Sequence, residues 1–393
     1  MIYVVVLLYI FFLIIRFDYH KAEEGRDQHY FFLLLIFIFV SGLSYRLGID
    51  VVRYQGLFES GEYSLNDFNL FDFGERQTAT EPGWVFVNAV VYNLTHNWVI
   101  FKLLLAAFFN GVVFWFFKKH SPAPFTAVFI YAIMGFFQIN FQVLRESISI
   151  AFFIIALDKL MGEHPSYLKY YLWAIPAIFF HRFGWVVLIF PIFSFLRLNK
   201  TFVLILICSS LLLPIVLNYF NLARLFLLSS DLSDSMGSYL TSESWNEVRR
   251  GNFFGFISSV LFFAPLVIFS FAGNDESVKK FVGFSMMYMF LYILNTSTFA
   301  FFYRINNYIQ FPMAVVVSNG MSALLYSEDR TDVNVWQCFK IKPLMILLIS
   351  CFLIIRTKDL THGFISKMYI PYSSVITKKT DSEREAIYRT IGI

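Results

Sequence analysis

The chain has 393 residues, of which 58% are hydrophobic, 20% aromatic and only 15% charged. Soluble chains carry nearer 25% charge, so long apolar runs displace the string of soluble domains that this length would otherwise suggest. The net charge of +4 excludes little, because in such a chain the positions of the charges matter more than their sum.

The pattern predicts an all-α, polytopic integral membrane bundle. Spans are expected over 1–15, 30–44, 98–117, 124–140, 143–160, 168–180, 183–196, 202–220, 253–272, 281–298, 301–326 and 343–355. That is about twelve crossings, several shorter than the ~20 residues a straight crossing wants. The opening MIYVVVLLYIFFLII has no basic flank and no small-residue cleavage site, so it is expected to stay as the first span. Residues 82–96 are too short to cross and read as a half-helix or re-entrant segment. The whole chain, 1–393, is read as one bundle with a first large loop over 45–81, a second over 221–252 and a tail over 356–393.

Basic residues set the orientation. With 16–29 on the cytoplasmic side, Lys118-Lys119, Lys159 with Lys169, Arg197 with Lys200, Lys279-Lys280, and Arg330 with Lys340 and Lys342 all fall on that side. This requires 82–96 not to cross, and only the basic tail departs from it. The opposite, outer face then collects Asp50, Arg53, Glu81, Arg145, Glu146, His181, Arg182 and Arg304, together with both large loops and the tail. A polar site is expected at the outer membrane–water boundary. No internal repeat of the kind common in transporters is visible.

Arg145 and Glu146 stand one turn inside the span 143–160. A charge within a spanning helix costs about 2.5–3.5 kcal/mol at mid-membrane and less near the ends, so such groups usually face a cavity or a partner. Adjacent residues on a helix diverge, which argues against a pair between these two. A guanidinium is suited to a phosphate or diphosphate, because its planar fork donates paired hydrogen bonds and stays charged in a low dielectric. Snorkelling or an ion pair elsewhere is the alternative. Arg304, in FFYRINNYIQ, follows the same logic, and Arg182 is a third arginine at that depth. His181 is a general base or a sugar-hydroxyl partner, or else a polar cap. Asp50 and Glu81 are candidate catalytic carboxylates or hydroxyl-binding groups; Asp67 and Asp72 read as caps or solvated charges. Tyr54, Trp84, Trp185, Trp245 and Tyr372 either stack on sugar rings or form an aromatic belt.

Several chemistries lack their signatures. There is no GxxxxGK[ST] or GxGxxG, no HExxH or paired Cys/His, no GxSxG, and no Asp-x-Asp in the outer loops. No cofactor, metal or nucleic acid is expected. The three cysteines, Cys208, Cys338 and Cys351, are far apart and form no disulfide framework. The sequons Asn93-Leu94-Thr95 and Asn295-Thr296-Ser297 lie in apolar surroundings and read as unmodified.

A set of short motifs runs in order from about residue 45 to 372. They are Gly48-Ile49-Asp50 with Tyr54, Glu81 with Gly83, Leu144-Arg145-Glu146-Ser147, Phe180-His181, and Tyr369-Ile370-Pro371-Tyr372. The arrangement resembles the EpsG family, related to the Wzy-type polymerases of bacterial exopolysaccharide, capsule and O-antigen. Ile49 stands where that family usually has Thr, and Arg182 where it has a small residue. The resemblance implies a GT-C-like membrane glycosyltransferase of the bacterial cytoplasmic membrane with its site facing outward. Its donor and acceptor would be oligosaccharide repeat units on undecaprenyl diphosphate, and a chain-length regulator is a further partner. On that basis Arg145, Arg304 and Arg182 are expected at the diphosphate. His181, Glu81 or Asp50 is expected to be the base, and Tyr54, Glu146 and Tyr372 to meet the glycan. A flippase for the same lipid-linked glycan, an O-antigen ligase and a glycan acyltransferase are the competing readings; the one-sided polar groups argue against the flippase.

Overall fold

A computed structural model describes residues 2–62, 81–161, 164–194, 208–209, 269–270, 281–297, 302–326 and 364–390. Every regular element among them is helical, and their one extended pairing is an isolated antiparallel bridge between Ser44 and Ser374. In chain order the elements are α1 (Ile2–Leu13, continued by a π turn, Ile14–Tyr19), α2 (Arg26–Gly42), α3 (Ile49–Glu59), α4 (Pro82–Thr95) and α5 (Trp98–His120). They continue with α6 (Pro124–Met134), α7 (Phe136–Phe141), α8 (Leu144–Met161), α9 (Tyr167–Phe180) and a 3-10 helix (Arg182–Ser194). The last are α10 (Val282–Ser297), α11 (Phe302–Met321, continued by a π turn, Ser322–Tyr326), α12 (Phe364–Tyr369) and α13 (Ser382–Thr390).

Among the described residues, three stretches are helical, long and apolar enough to cross a membrane: Ile2–Tyr19, Trp98–His120 and Tyr303–Leu325. The longest helix, α5, shows why. The Asn97 side chain accepts from the amides of Val99 and Ile100 and closes its first turn, while Lys118, Lys119 and His120 meet the negative end of its dipole. Between these ends the run is apolar, and Leu104 and Phe108 are left exposed. Val4, Leu8, Phe31 and Leu172 are exposed in the same way on α1, α2 and α9, as a lipid-facing surface requires.

Contacts at the helix ends fix their relative directions. Lys102, in the second turn of α5, reaches Ser44 beyond the end of α2, while His120 at the other end of α5 meets Asp158 near the end of α8. Arg304 at the start of α11 meets Glu146 at the start of α8, and Asn319 near its end donates to the His120 carbonyl. Helices α5, α8 and α11 therefore run one way and α2 the other. The bundle has an Arg145 end and an Asp158 end.

Helix α4 starts and finishes at the Arg145 end. Glu81, just before it, bonds Arg145; Tyr92 near its close and Trp98 just beyond it both pack on Phe58 of α3. The segment 82–96, expected as a half-helix or re-entrant piece, thus forms one 14-residue helix. Two expected spans take a different form. The segment 124–140 is broken at Gly135, and the Gln310 amide of α11 packs where a side chain there would stand. The expected span 183–196 is a 3-10 helix rather than an α-helix as far as it is described, the 13 residues Arg182–Ser194, with Gly184 pressed against the Ala177 carbonyl of α9. The spans expected at 202–220, 253–272 and 343–355 and the loop 221–252 lie outside the described residues, apart from 208–209 and 269–270. A large core runs through Phe37, Phe114, Tyr131 and Phe311, and a smaller one through Tyr54, Phe58, Trp84 and Phe101 backs the Arg145 end.

Candidate functional site: paired charges at the Arg145 end

The site is organised by the first turn of α8. Its successive residues point about 100° apart, so Arg145 and Glu146 reach different neighbours. Arg145 turns toward α3 and α4. Its Nε donates to the Tyr54 hydroxyl at 2.8 Å, its Nη1 donates to Glu81 Oε2, and its guanidinium stands 5.4 Å from the centre of the Tyr54 ring. Glu81 is held from the other side as well, since Oε1 accepts the Arg182 backbone amide at 3.4 Å. Gly83 makes this junction: a Cβ there would sit 2.8 Å from the Phe179 carbonyl oxygen, so the start of α4 can close on the end of α9.

Glu146 turns toward α11. Arg304 Nη1 donates to its Oε2 at 2.7 Å, and Asn307, one turn later, donates to Oε1 at 3.2 Å. Tyr308 continues the seam by donating to Ser149 at 3.0 Å. Both carboxylates are withdrawn from solvent, with side chains 4% exposed for Glu81 and 0% for Glu146; their arginines keep 23% and 15%.

Asp50 opens α3. Gly48 just before it has φ +91 and lies so close to the Phe141 carbonyl that only glycine fits. The Ile49 amide donates to Gln142 Oε1 at 3.0 Å, which anchors the first turn of α3 beside the start of α8. Asp50 makes no ion pair among the described residues. Burial pushes its carboxyl above the usual range, against the opposing pull of Arg304, Arg145 and Arg53.

His181 lies in the turn between α9 and the 3-10 helix, 7% exposed. Its Nδ1 accepts the Phe183 amide at 3.3 Å, so the neutral ring carries its proton on Nε2. Burial, and then the charges of Arg304, Arg145 and Arg182, hold the imidazole well below its ordinary pKa and keep it neutral. Asp50 and His181 thus both sense Arg145 and Arg304, which brings these four expected residues and both glutamates to one place.

Two expected residues stand differently. Arg182 offers its backbone amide to Glu81, while its side chain is exposed. Tyr372 is not at this cluster: its hydroxyl donates to the Val40 carbonyl at 3.1 Å and its ring packs on Tyr3. Sequence reasoning gave no role to Gln142, to Asn307, which it noted only as lying near Arg304, or to Lys102. The first two lie three residues from Arg145 and Arg304, a spacing that could have flagged them. Lys102 is buried, donating to the Ser44 carbonyl at 2.7 Å. Among the described residues no group of three or more His, Cys, Asp or Glu side chains could hold a metal ion.

The arrangement is chemically specific. Two guanidiniums, each paired with a buried glutamate, stand near a carboxyl group that has no ion pair among the described residues and a neutral imidazole whose Nε2 carries the hydrogen. An anion with several oxygens can replace the glutamates on the arginines, and the Asp50 carboxylate can take a proton beside it. No curated protein and no solved structure matches the chain. The EpsG family model matches residues 28–374, a stretch that contains every side chain of this cluster, and the chain belongs to the EpsG family.

Proposed function

We propose that the protein is a glycosyltransferase that joins undecaprenyl-diphosphate-linked oligosaccharide repeat units into a surface polysaccharide: an O-antigen, a capsule or an exopolysaccharide. Its family and its apolar helices make it a membrane protein of polysaccharide biosynthesis. Substrate, bond formed and side of the membrane are the finer part of the proposal. In it the complete bundle is GT-C-like with about twelve crossings, sits in the bacterial cytoplasmic membrane, and turns its Arg145 end outward.

The observation that carries this reading is the convergence of Arg145 and Arg304 on Asp50 and His181, with each arginine held by its own buried glutamate. The lipid diphosphate takes the place of Glu81 and Glu146 on the two guanidiniums, whose charge stabilises it as the leaving group. Asp50 accepts the proton of the acceptor sugar hydroxyl. The hydroxyl oxygen forms a bond to the anomeric carbon of the other unit, the bond from that carbon to the diphosphate breaks, and the lipid diphosphate leaves with the electron pair. His181 donates its Nε2 hydrogen to a substrate oxygen. Glu146, expected at the glycan, serves here as the counter-ion of Arg304; Arg182 lies at the mouth, where glycan and a chain-length regulator have access.

The test is a glycan ladder from a strain lacking the chromosomal gene and carrying Arg145→Ala or Arg304→Ala. Polymer is expected to vanish while a single capped repeat unit persists. Normal chain length with both variants overturns the assignment. Loss of every exported repeat unit points to a flippase instead.

A further inference from the structure

The segment 43–49 joins α2 to α3, and it is tied down at almost every residue. The Val375 amide donates to the Leu43 carbonyl at 2.8 Å, and Lys102 holds the Ser44 carbonyl from below. The Tyr45 amide donates to the Ser373 carbonyl at 2.9 Å. Arg46 forms a bidentate pair with Glu385 of α13, Nε to Oε1 and Nη2 to Oε2, both at 2.8 Å. The Tyr388 hydroxyl donates to the Arg46 carbonyl at 3.0 Å, and the Arg46 guanidinium stands 5.4 Å from the centre of the Tyr388 ring. Gly48 and Ile49 then meet Phe141 and Gln142 at the foot of α8.

The tail that makes these bonds is itself fastened. Arg384, 1% exposed, donates to the Pro371 carbonyl at 2.8 Å and the Lys367 carbonyl at 3.4 Å, and Asp381 accepts its backbone amide. Tyr3 of α1 donates to the Tyr369 carbonyl at 3.0 Å. Arg46 has φ 47, a left-handed backbone rare for arginine, and such a conformation persists where its surroundings over-determine it. An exposed ion pair would do little of this, but a planar bidentate pair stacked on a buried ring fixes direction as well as distance. Helix α3 needs such help: at 11 residues it is too short to hold itself, and Arg53, Gly56 and Glu59 face outward. The family match ends at residue 374, so α13, which carries Glu385, lies beyond it.

We propose that the C-terminal segment is a clasp that sets the position of α3, and that Arg46 and Glu385 are the positioning residues through which it holds Asp50 and Tyr54 against Arg145. Its catalytic consequence rests on the polymerase reading; its structural consequence does not.

The experiment uses the full chain in lipid nanodiscs and follows backbone hydrogen exchange in two windows, 49–59 and 144–161. With Arg46→Ala or Glu385→Ala, exchange over 49–59 is expected to rise about tenfold or more while 144–161 keeps its protection. In the glycan ladder the same variants are expected to reduce polymer by a similar factor at unchanged membrane abundance. The reversed pair, Arg46→Glu with Glu385→Arg, is expected to recover both readouts in part, as coupled partners do. Should either single variant fail to accumulate, Glu385→Gln, which keeps the shape and removes the charge, is read in the same two ways. Unchanged exchange over 49–59 overturns the clasp, and so does normal polymer despite raised exchange or a reversed pair that recovers nothing. A wild-type protein that makes no polymer overturns the polymerase reading, and the exchange windows still decide the clasp.

Discussion

The two ends of the bundle use the same residue types to opposite effect. At the Asp158 end one buried carboxylate collects three nitrogen partners: Lys119 at 2.6 Å, His120 at 2.8 Å and Lys159 at 3.0 Å. The lysines reach water, Lys119 with half its side chain, and the nearby pair of Lys118 and Asp27 is exposed on both sides. At the Arg145 end Arg145 meets Glu81 and Arg304 meets Glu146, each arginine keeps less than a quarter of its side chain exposed, and the partners come from helices far apart in the chain. Taking an ion pair out of water costs several kcal/mol per ion, and a well-packed apolar pair is often as stable or more so. Nothing in the packing of the bundle requires two such pairs side by side. The difference teaches that a buried carboxylate marks a site less than the burial of the charged side chain that meets it.

The sharpest way to break the comparison is Asp50→Asn. It removes the site carboxylate that has no ion pair and leaves both buried pairs intact, so polymer formation should fall by about 10²–10⁴-fold, the usual worth of a general base. The pH profile sharpens it. Burial raises the Asp50 pKa, and a base must be ionised to accept a proton, so the wild-type rate should fall on acidification at a higher pH than an ordinary carboxylate would give. The lowered pKa of His181 moves its own charging to a more acid pH than an ordinary imidazole would show. An undiminished rate for Asp50→Asn would move the base elsewhere, with Glu81 next in line. Glu81→Gln should do less. It keeps the shape, leaves Arg145 without its counter-ion, and on the exchange picture removes a competitor of the diphosphate. Polymer should survive within about tenfold while stability falls by about 1–3 kcal/mol, seen as a lower thermal midpoint. Complete loss of polymer at normal abundance would make Glu81 the base.

Part of this was legible in the sequence. Arg145, Glu146 and Arg304 announce themselves as charges inside apolar runs, and the helical period alone says that Arg145 and Glu146 part company. The half-helix at 82–96 follows from its length. Partners across the fold were not legible. Nothing near Arg145 names Glu81, 64 residues earlier, and nothing near Arg46 names Glu385, 339 residues later. The close approach of Gln310 to Gly135 comes from another helix, and an apolar run such as 182–194 has the same composition whether it winds as 3-10 or α. Tyr372 was placed at the glycan because it is aromatic and near the outer face, a property that its bond to Val40 also satisfies.

The smallest expected effect tests the other half of the comparison. Lys119→Ala removes one of the three partners of Asp158 and a side chain half in solvent. His120 and Lys159 still hold the carboxylate, so stability should change by no more than about 1 kcal/mol, the scale of an exposed pair. Thermal unfolding of the purified protein checks the first expectation and the glycan ladder the second, which is an unchanged chain length. If polymer disappeared while the protein stayed folded, charge at the Asp158 end would be taking part in substrate handling. Functional charge would then sit at both ends of the bundle. That is the layout of a carrier that admits its cargo on one side and releases it on the other, and the contrast between the two ends would lose its meaning.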